Sequence, residues 1–209
     1  MTSANVSPAA TTPTGNCYDK YGVEHPIERR LVDGFLRALD EVLPAVSPAR
    51  VLEVGVGEGE ISSRVRQRYP KATVIGIDLY DLELAAQWRK RGALGAFADV
   101  QRLPFPDDAF DLVLGIEVLE HVPVPSEALK EIRRVGREAF VLSVPREPIW
   151  RIANVARGRY VRDLGNTPGH VNHWSARRFR LLVDAYVDVR ATRTPFPWTV
   201  VSARRRPRT

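Results

Sequence analysis

Val51-Leu52-Glu53-Val54-Gly55-Val56-Gly57-Glu58-Gly59 is the stretch that decides the architecture. A short apolar run, residues 51–54, enters three glycines at alternate positions, and a helical pattern begins at Ile61. A strand that turns tightly into a helix is the first half of a parallel β-α-β unit. Glycine permits such a turn and lets a ligand approach the backbone with no Cβ in the way. The helix start beyond it offers N–H groups that have no partner within the helix. Together these predict a cofactor cradle at the C-terminal end of a parallel strand.

The loop's spacing and charge narrow the cofactor. The dinucleotide fingerprint is Gly-x-Gly-x-x-Gly, but here the third glycine arrives one residue early, at Gly59. A phosphate-binding P-loop requires Gly-Lys-Ser/Thr, and the chain has none after these glycines. The loop carries Glu53, Glu58 and Glu60, which repel a pyrophosphate and attract a cation. S-adenosylmethionine, with an ammonium and a sulfonium, suits that charge. Asp78 ends the next apolar run, about 20 residues on, where an acid grips ribose hydroxyls. Asp78 alone fits a nicotinamide cofactor equally well.

Outward from the loop, the pattern alternates. Helices are expected over 26–43, with Ile27, Leu31, Phe35, Leu39 and Val42 on one face, and over 61–69, 82–91, 126–135 (Ser126 as N-cap) and 175–185. Strands are expected over 51–54, 73–77, 95–98, 110–116 and 139–144. Residues 145–174 show no clear period, so the next ordered element is expected only at Ser175. Two apolar runs, 186–191 and 198–203, flank Pro195 and Pro197 and read as an antiparallel hairpin. The fold class is therefore α/β: a Rossmann-like, doubly wound, mostly parallel sheet with helices on both faces and an antiparallel C-terminal hairpin.

The Ser-, Thr-, Ala- and Pro-rich residues 1–16 are expected to be disordered, with one domain over 17–209. Within it, 17–45 form an N-terminal lid and helix, and 145–174 form a substrate-specificity insertion. The single cysteine, Cys17, excludes an internal disulfide and a cysteine metal cluster. No apolar run approaches the roughly 18 residues of a membrane helix, and the N-terminus lacks signal-peptide features. A cytoplasmic protein is expected.

Charge is unevenly distributed. Residues 1–144 carry 17 Lys/Arg and 21 Asp/Glu, whereas residues 145–209 carry 14 Arg and 4 acids, a net of +10. Such a region suits an anionic small substrate, nucleic acid or an anionic membrane surface. Only 4 of the 31 basic residues are Lys, so a generally arginine-rich surface explains part of it.

Residues 51–144 resemble class I S-adenosylmethionine-dependent methyltransferases, of the small-molecule type that includes the ubiquinone and menaquinone biosynthetic enzymes. The resemblance rests on Glu53-x-Gly55-x-Gly57-x-Gly59, on Asp78, and on the specific run ADVQRLPFPDDAFDLVLGIEVLEHV, residues 98–122, followed by ALKEIRRV. It implies a seven-stranded sheet with an antiparallel last strand. It also implies that Glu53 and the three glycines hold the methionine part of the cofactor, that Asp78 takes the ribose hydroxyls, and that Leu79 packs on the adenine. Asp99 and Val100 then meet the adenine edge, and Ile116 and Glu117 border the transferred methyl. The family's glycine turn before strand six is replaced by VDAYVDV, residues 183–189, which leaves the start of that strand open.

Methyl transfer requires alignment and exclusion of water, and a base only for a nucleophile of high pKa. The candidate bases are His121, after strand four, and His170 and His173 in the irregular segment. No acid or cysteine lies near His170 and His173 in sequence to complete a metal set, so no metal is expected. Tyr18 and Tyr21 of the lid, with Arg146, Trp150 and Trp174, are the expected substrate residues, because arginine forks suit phosphate or carboxylate and aromatic faces suit rings or acyl chains. The expected activity is methylation of an anionic or lipid-linked small molecule in biosynthetic metabolism. Alternative readings are a nicotinamide-dependent oxidoreductase, a nucleic-acid methyltransferase and a non-catalytic cofactor-binding partner. The first is disfavoured by the early third glycine. The second lacks an Asn-Pro-Pro-Tyr-type signature.

Overall fold

The computed structural model describes residues 25–207. Tyr18, Tyr21 and Cys17 lie outside the described residues. In chain order the elements are α1 (Pro26–Val42), β1 (Arg50–Val54), α2 (Glu60–Arg68), β2 (Thr73–Asp78), α3 (Leu82–Lys90), β3 (Leu94–Phe97), β4 (Phe110–Ile116), α4 (Pro125–Val135), β5 (Gly136–Pro145), α5 (Ile149–Ala156), α6 (Ala176–Asp184), β6 (Asp188–Arg193) and β7 (Trp198–Arg204). The seven strands form one sheet in the order β3-β2-β1-β4-β5-β7-β6. The pairs among β1–β5 are parallel, and β7 runs antiparallel to both β5 and β6.

Alternation along the central strands builds two cores. Leu52, Val54, Val113, Phe140 and Leu142 face one side and meet Leu129, Ile132, Phe179 and Val183 of α4 and α6. Val51, Leu112, Leu114, Ile116 and Val141 face the other and meet Phe35, Leu39, Ile61 and Val65 of α1 and α2. Side chains that point alternately up and down require helices on both faces of a buried sheet. α1 is seated over the far strands, with Phe35 and Trp198 ring centroids 5.1 Å apart.

Several expected boundaries shift. α4 starts at Pro125, so Ser126 sits in its first turn and Val124 takes the capping position. Ser175 does cap α6, accepting from the Arg178 N–H. Without a glycine, α6 ends through Ala185 in a right-handed conformation. Asp184 Oδ1 then accepts from the Val189 N–H at 3.2 Å, and strand six starts at Asp188 rather than 186. The largest correction concerns residues 145–174, which hold α5 and a 3₁₀ turn at Val161–Asp163 before Ser175 is reached. α5 is only eight residues long and buries just Trp150 and Asn154, too brief a stripe to show as a period.

Several of the C-terminal arginines reach acids elsewhere in the chain. Arg157 and Arg159 pair with Glu28, Arg193 with Glu41, and Arg205 with Asp108. Three acids from the negative part of the chain thus pair with four of the fourteen arginines.

Asp111 at the start of β4 ties the two central strands together. Its Oδ2 accepts from the Ala49 and Arg50 N–H groups, both at 2.9 Å, and its Oδ1 accepts from Arg137. It is 6% exposed, so removing it takes a buried acceptor away from two backbone N–H groups and a guanidinium. Asp111→Ala should destabilise the fold by about 2–4 kcal/mol, read as a lower denaturant midpoint with an unchanged slope.

Candidate functional site

The turn after β1 places its glycines in backbone conformations that a side chain disfavours. Gly55, Gly57 and Gly59 have φ of 67°, 49° and 87°. A Cβ on Gly55 would lie 2.2 Å from a Val118 methyl, whereas one on Gly59 would meet nothing within 4 Å, so the turn is packed below and open above. The Gly57 peptide is held from two sides. Its N–H donates to Asp78 Oδ2 at 2.7 Å, and its carbonyl accepts from Trp88 Nε1 at 2.7 Å. Asp78 Oδ1 accepts from its neighbour's Leu79 N–H at 2.8 Å. Burial pushes the Asp78 carboxyl above its ordinary range, against these two hydrogen bonds.

Glu53 is 2% exposed and accepts a hydrogen bond from Ser62 in α2. Burial pushes its pKa up to about 8, opposed mainly by the Ser62 bond and reinforced by the nearby Asp78 charge. A protonated, sequestered carboxyl beside an open backbone turn is poised to ionise when a cation arrives.

The remaining expected cofactor residues line the same sheet edge, because parallel strands end together. Leu79 follows β2 and is 43% exposed, an uncovered apolar surface. Asp99 follows β3 and is bonded to Gln101, with Val100 buried beside it. Ile116 ends β4 in the core. Glu117 adopts φ of 59°, rare for a residue with a side chain, and its N–H is anchored on the Ser143 carbonyl at 3.0 Å. The chain reverses sheet direction between β1 and β4, and ligands of open α/β sheets sit at that switch point. This edge also fits S-adenosylmethionine chemically. It has a bare turn that a ligand can approach, an acid at the end of β2 with oxygens able to accept from hydroxyls, and a buried acid that can meet an ammonium.

The 145–174 segment folds over the β4 end of this edge. Asn172 Nδ2 donates to the Leu119 and Val122 carbonyls at 3.2 and 2.7 Å. The Val171 and Asn172 N–H groups donate to the Glu120 carbonyl at 2.9 and 3.1 Å. Asn154 of α5 is buried and donates to the Gly165 carbonyl at 2.9 Å. Trp150 is buried, donating to Thr167 Oγ1 at 2.9 Å and stacking near His170. Trp174 packs on Phe179. Arg146 extends β5, its buried Nε without a hydrogen-bond partner among the described residues.

The histidines sort differently from their spacing in sequence. His121 and His170 meet edge-to-face with ring centroids 4.8 Å apart. Glu120 stands with them, one ligand atom of each lying within 4.8 Å of the others. The acid missing from the neighbourhood of His170 in sequence is supplied by the turn after β4. His173 is exposed instead, its Nε2 2.7 Å from Asn166 Oδ1. Glu120 and Asn154 were not singled out from the sequence. Asn154, a polar residue between Ala153 and Val155, carries a weak signal of its burial, and Glu120 carries none beyond its place next to His121.

Residues 52–141 match the family described as "Methyltransferase domain". Malonyl-[acyl-carrier protein] O-methyltransferase of Geobacter sulfurreducens is 33% identical over 133 residues, 60% of this chain and 48% of that protein. Demethylmenaquinone methyltransferase of Thermus thermophilus is 35% identical over 120 residues, 54% of each chain. The chain thus spans about half the length, or less, of the curated relatives it matches first. A SAM-dependent methyltransferase from Aquifex aeolicus superposes with a TM-score of 0.66 at 19% identity, covering 86% of this chain and 93% of that one. Magnesium protoporphyrin IX methyltransferase from Synechocystis, with bound SAH, gives 0.65 at 15% identity, covering 88% and 90%. These structures share the fold, and the matched sequence carries the glycine turn, Asp78 and the β4 end described above. Residues 52–141 are thus similar to a methyltransferase domain, and they are the part of the chain that carries the glycine turn and the strand ends of the candidate site.

Proposed function

We propose that this protein transfers the methyl group of S-adenosylmethionine to an oxygen of an anionic small molecule held under the 145–174 segment. The observation that carries the reading is the Gly57–Asp78 clamp, which sets a bare backbone turn and a ribose-accepting carboxylate side by side. When bound, the cofactor supplies an electrophilic methyl with its leaving group already attached. The protein's work is binding, alignment and exclusion of water.

Glu53 and the glycine turn receive the methionyl end, and Asp78 receives the ribose hydroxyls. The exposed face of Leu79 covers one side of the adenine, with Asp99 and Val100 at its edge. Ile116 and Glu117 border the methyl. The acceptor then lies toward His121 and His170, beneath a roof that carries Arg146, Trp150 and Trp174. The buried, unbonded Nε of Arg146 suits an anionic acceptor. Oxygen as the nucleophile is supported by the relatives' names, since malonyl-[acyl-carrier protein] and ubiquinone biosynthesis methyltransferases are both called O-methyltransferases. Ile152, Val155, Val161 and Leu164 are exposed on the same segment, which favours an acceptor with an apolar carrier or chain. Among the described residues no helix is long and apolar enough to cross a membrane.

Calorimetry should show binding of S-adenosylmethionine and its demethylated product, and none of NAD. Asp78→Ala removes a charged acceptor of two hydroxyls and should weaken cofactor binding roughly 30- to 1,000-fold, about 2–4 kcal/mol. Unchanged affinity would dismiss Asp78 as the ribose ligand.

Glu53 makes the binding pH-linked. Its folded pKa lies above the unfolded value, so the folded protein keeps a proton that the unfolded chain releases as pH rises from about 4.5 to about 8. Stability from this group is therefore full at low pH and lost across that window. A ligand ammonium reverses the balance, so cofactor binding near pH 7 should release a proton. Binding heats in buffers of different ionisation enthalpy read that release, and Glu53→Gln should abolish it.

His121→Ala and His170→Ala should lower turnover far more than cofactor affinity, and His173→Ala should leave both near wild type. Loss of turnover confined to His173→Ala would place the acceptor on the other side of the roof.

A further inference from the structure

We propose that Glu120, His121 and His170 bind a divalent transition-metal ion of the zinc type, placed beyond the C-terminal end of β4 to hold the acceptor's oxygen. The inference rests on the methyltransferase reading for its purpose, but the site itself rests on geometry.

The donor set is two imidazoles and one carboxylate, which suits zinc and its neighbours and leaves at least one coordination position for a ligand from outside. One donor atom from each residue lies within 4.8 Å of the other two. Donors of a single tetrahedral ion with bonds of about 2.0–2.3 Å stand roughly 3.3–3.7 Å apart. Closure by about 1 Å is within the reach of small side-chain rotations.

Three surrounding features support coordination over ordinary packing. First, His121 Nδ1 lies 3.0 Å from the Gly169 carbonyl. A carbonyl only accepts, so Nδ1 carries the proton and Nε2 is the ring's electron-pair donor. An imidazole whose other nitrogen donates to a backbone carbonyl is the usual arrangement for a metal-bound histidine. Second, His170 is 5% exposed and its ring is braced by Trp150, with centroids 6.1 Å apart at 28°. Third, Glu120 is 1% exposed. A buried carboxylate between two imidazoles is well compensated by a dication. The backbone fixes the partners as well. Val171 and Asn172 donate to the Glu120 carbonyl, and Asn172 bridges to Leu119 and Val122, which locks the two ligand-bearing segments together. His170 is distant in sequence from the adjacent Glu120 and His121, and only the folding of the 145–174 segment over the β4 end brings the three to one point.

The ion's role follows from its place. A hydroxyl oxygen brought to the open position loses its proton to solvent water more readily beside a dication. That oxygen then attacks the methyl carbon. The carbon–oxygen bond forms as the carbon–sulfur bond breaks, and the electron pair returns to sulfur, which becomes a neutral thioether. No further oxidant or reductant enters.

The test uses tag-free, chelator-stripped protein titrated with Co²⁺ and followed by visible absorption, with Zn²⁺ as competitor. The expected result is one equivalent of Co²⁺ giving tetrahedral-type ligand-field bands, which Zn²⁺ bleaches. Glu120→Gln and His170→Ala should weaken Co²⁺ binding roughly 100-fold or more, and His173→Ala should not. A rise in melting temperature with Zn²⁺ in the wild type, lost in His121→Gln, gives a second readout should one variant fold poorly. Absence of Co²⁺ bands together with no Zn²⁺-dependent melting shift in the wild type would overturn the site, as would equal affinity in His170→Ala. Cofactor calorimetry on the stripped protein separates the two ideas. Cofactor binding without Co²⁺ binding defeats the metal site alone, and Co²⁺ binding without cofactor binding defeats the methyltransferase reading and leaves the site standing.

Discussion

The Gly57 peptide is the point on which the site depends. Its N–H is held by Asp78 of β2 and its carbonyl by Trp88 of α3, while Val56 donates to the Ile77 carbonyl at 2.9 Å. One turn after β1 is thereby fixed to the next strand and to the helix beyond it. The packing beneath is shaped to suit. A Cβ on Gly76 would lie 2.6 Å from Val56, and one on Gly95 would lie 2.2 Å from the Trp88 ring. Both β2 and β3 must therefore be bare where the turn and the indole press on them. The carboxylate that organises the turn is also the one proposed to accept the ribose hydroxyls, so in that proposal Asp78 has both a structural and a binding role.

Charge is managed by burial on one side of the molecule and by pairing on the other. Glu53 sits inside the fold, its carboxyl raised to about 8 by desolvation. Desolvating a carboxylate is costly enough that the group holds its proton until a cation compensates it. The C-terminal arginines instead reach across to Glu28, Glu41 and Asp108. Such exposed pairs add little stability individually. They do reduce the net field that the +10 segment would otherwise present to a polyanion.

The 145–174 segment is held over the β4 end mainly by polar anchors. Asn154, Asn172 and Thr167 bond to backbone carbonyls or to one another's side chains across it. A segment joined this way has few apolar residues to bury and correspondingly weak periodicity. That is why α5 and the Glu120–His121–His170 grouping had no counterpart in the sequence reading, and why His170 seemed to belong with His173.

The sequence by itself determined the sheet and its glycine turn. Apolar runs of strand length alternated with helical stripes, three glycines followed β1, and Asp78 stood at the next strand end. These are local signals, because backbone conformation and side-chain alternation are set by neighbours within a few residues. Two apolar runs joined by a proline-containing turn likewise made the antiparallel hairpin legible. Only the tertiary structure decided that Glu53 is sequestered by Ser62, that Trp88 reaches back to Gly57, and that Glu120 and His121 meet a histidine 49 residues further along the chain. Those contacts join segments far apart in sequence. Their partners are chosen by which strand ends lie together and by what the connecting segments must cover, and no periodicity within one segment encodes that choice.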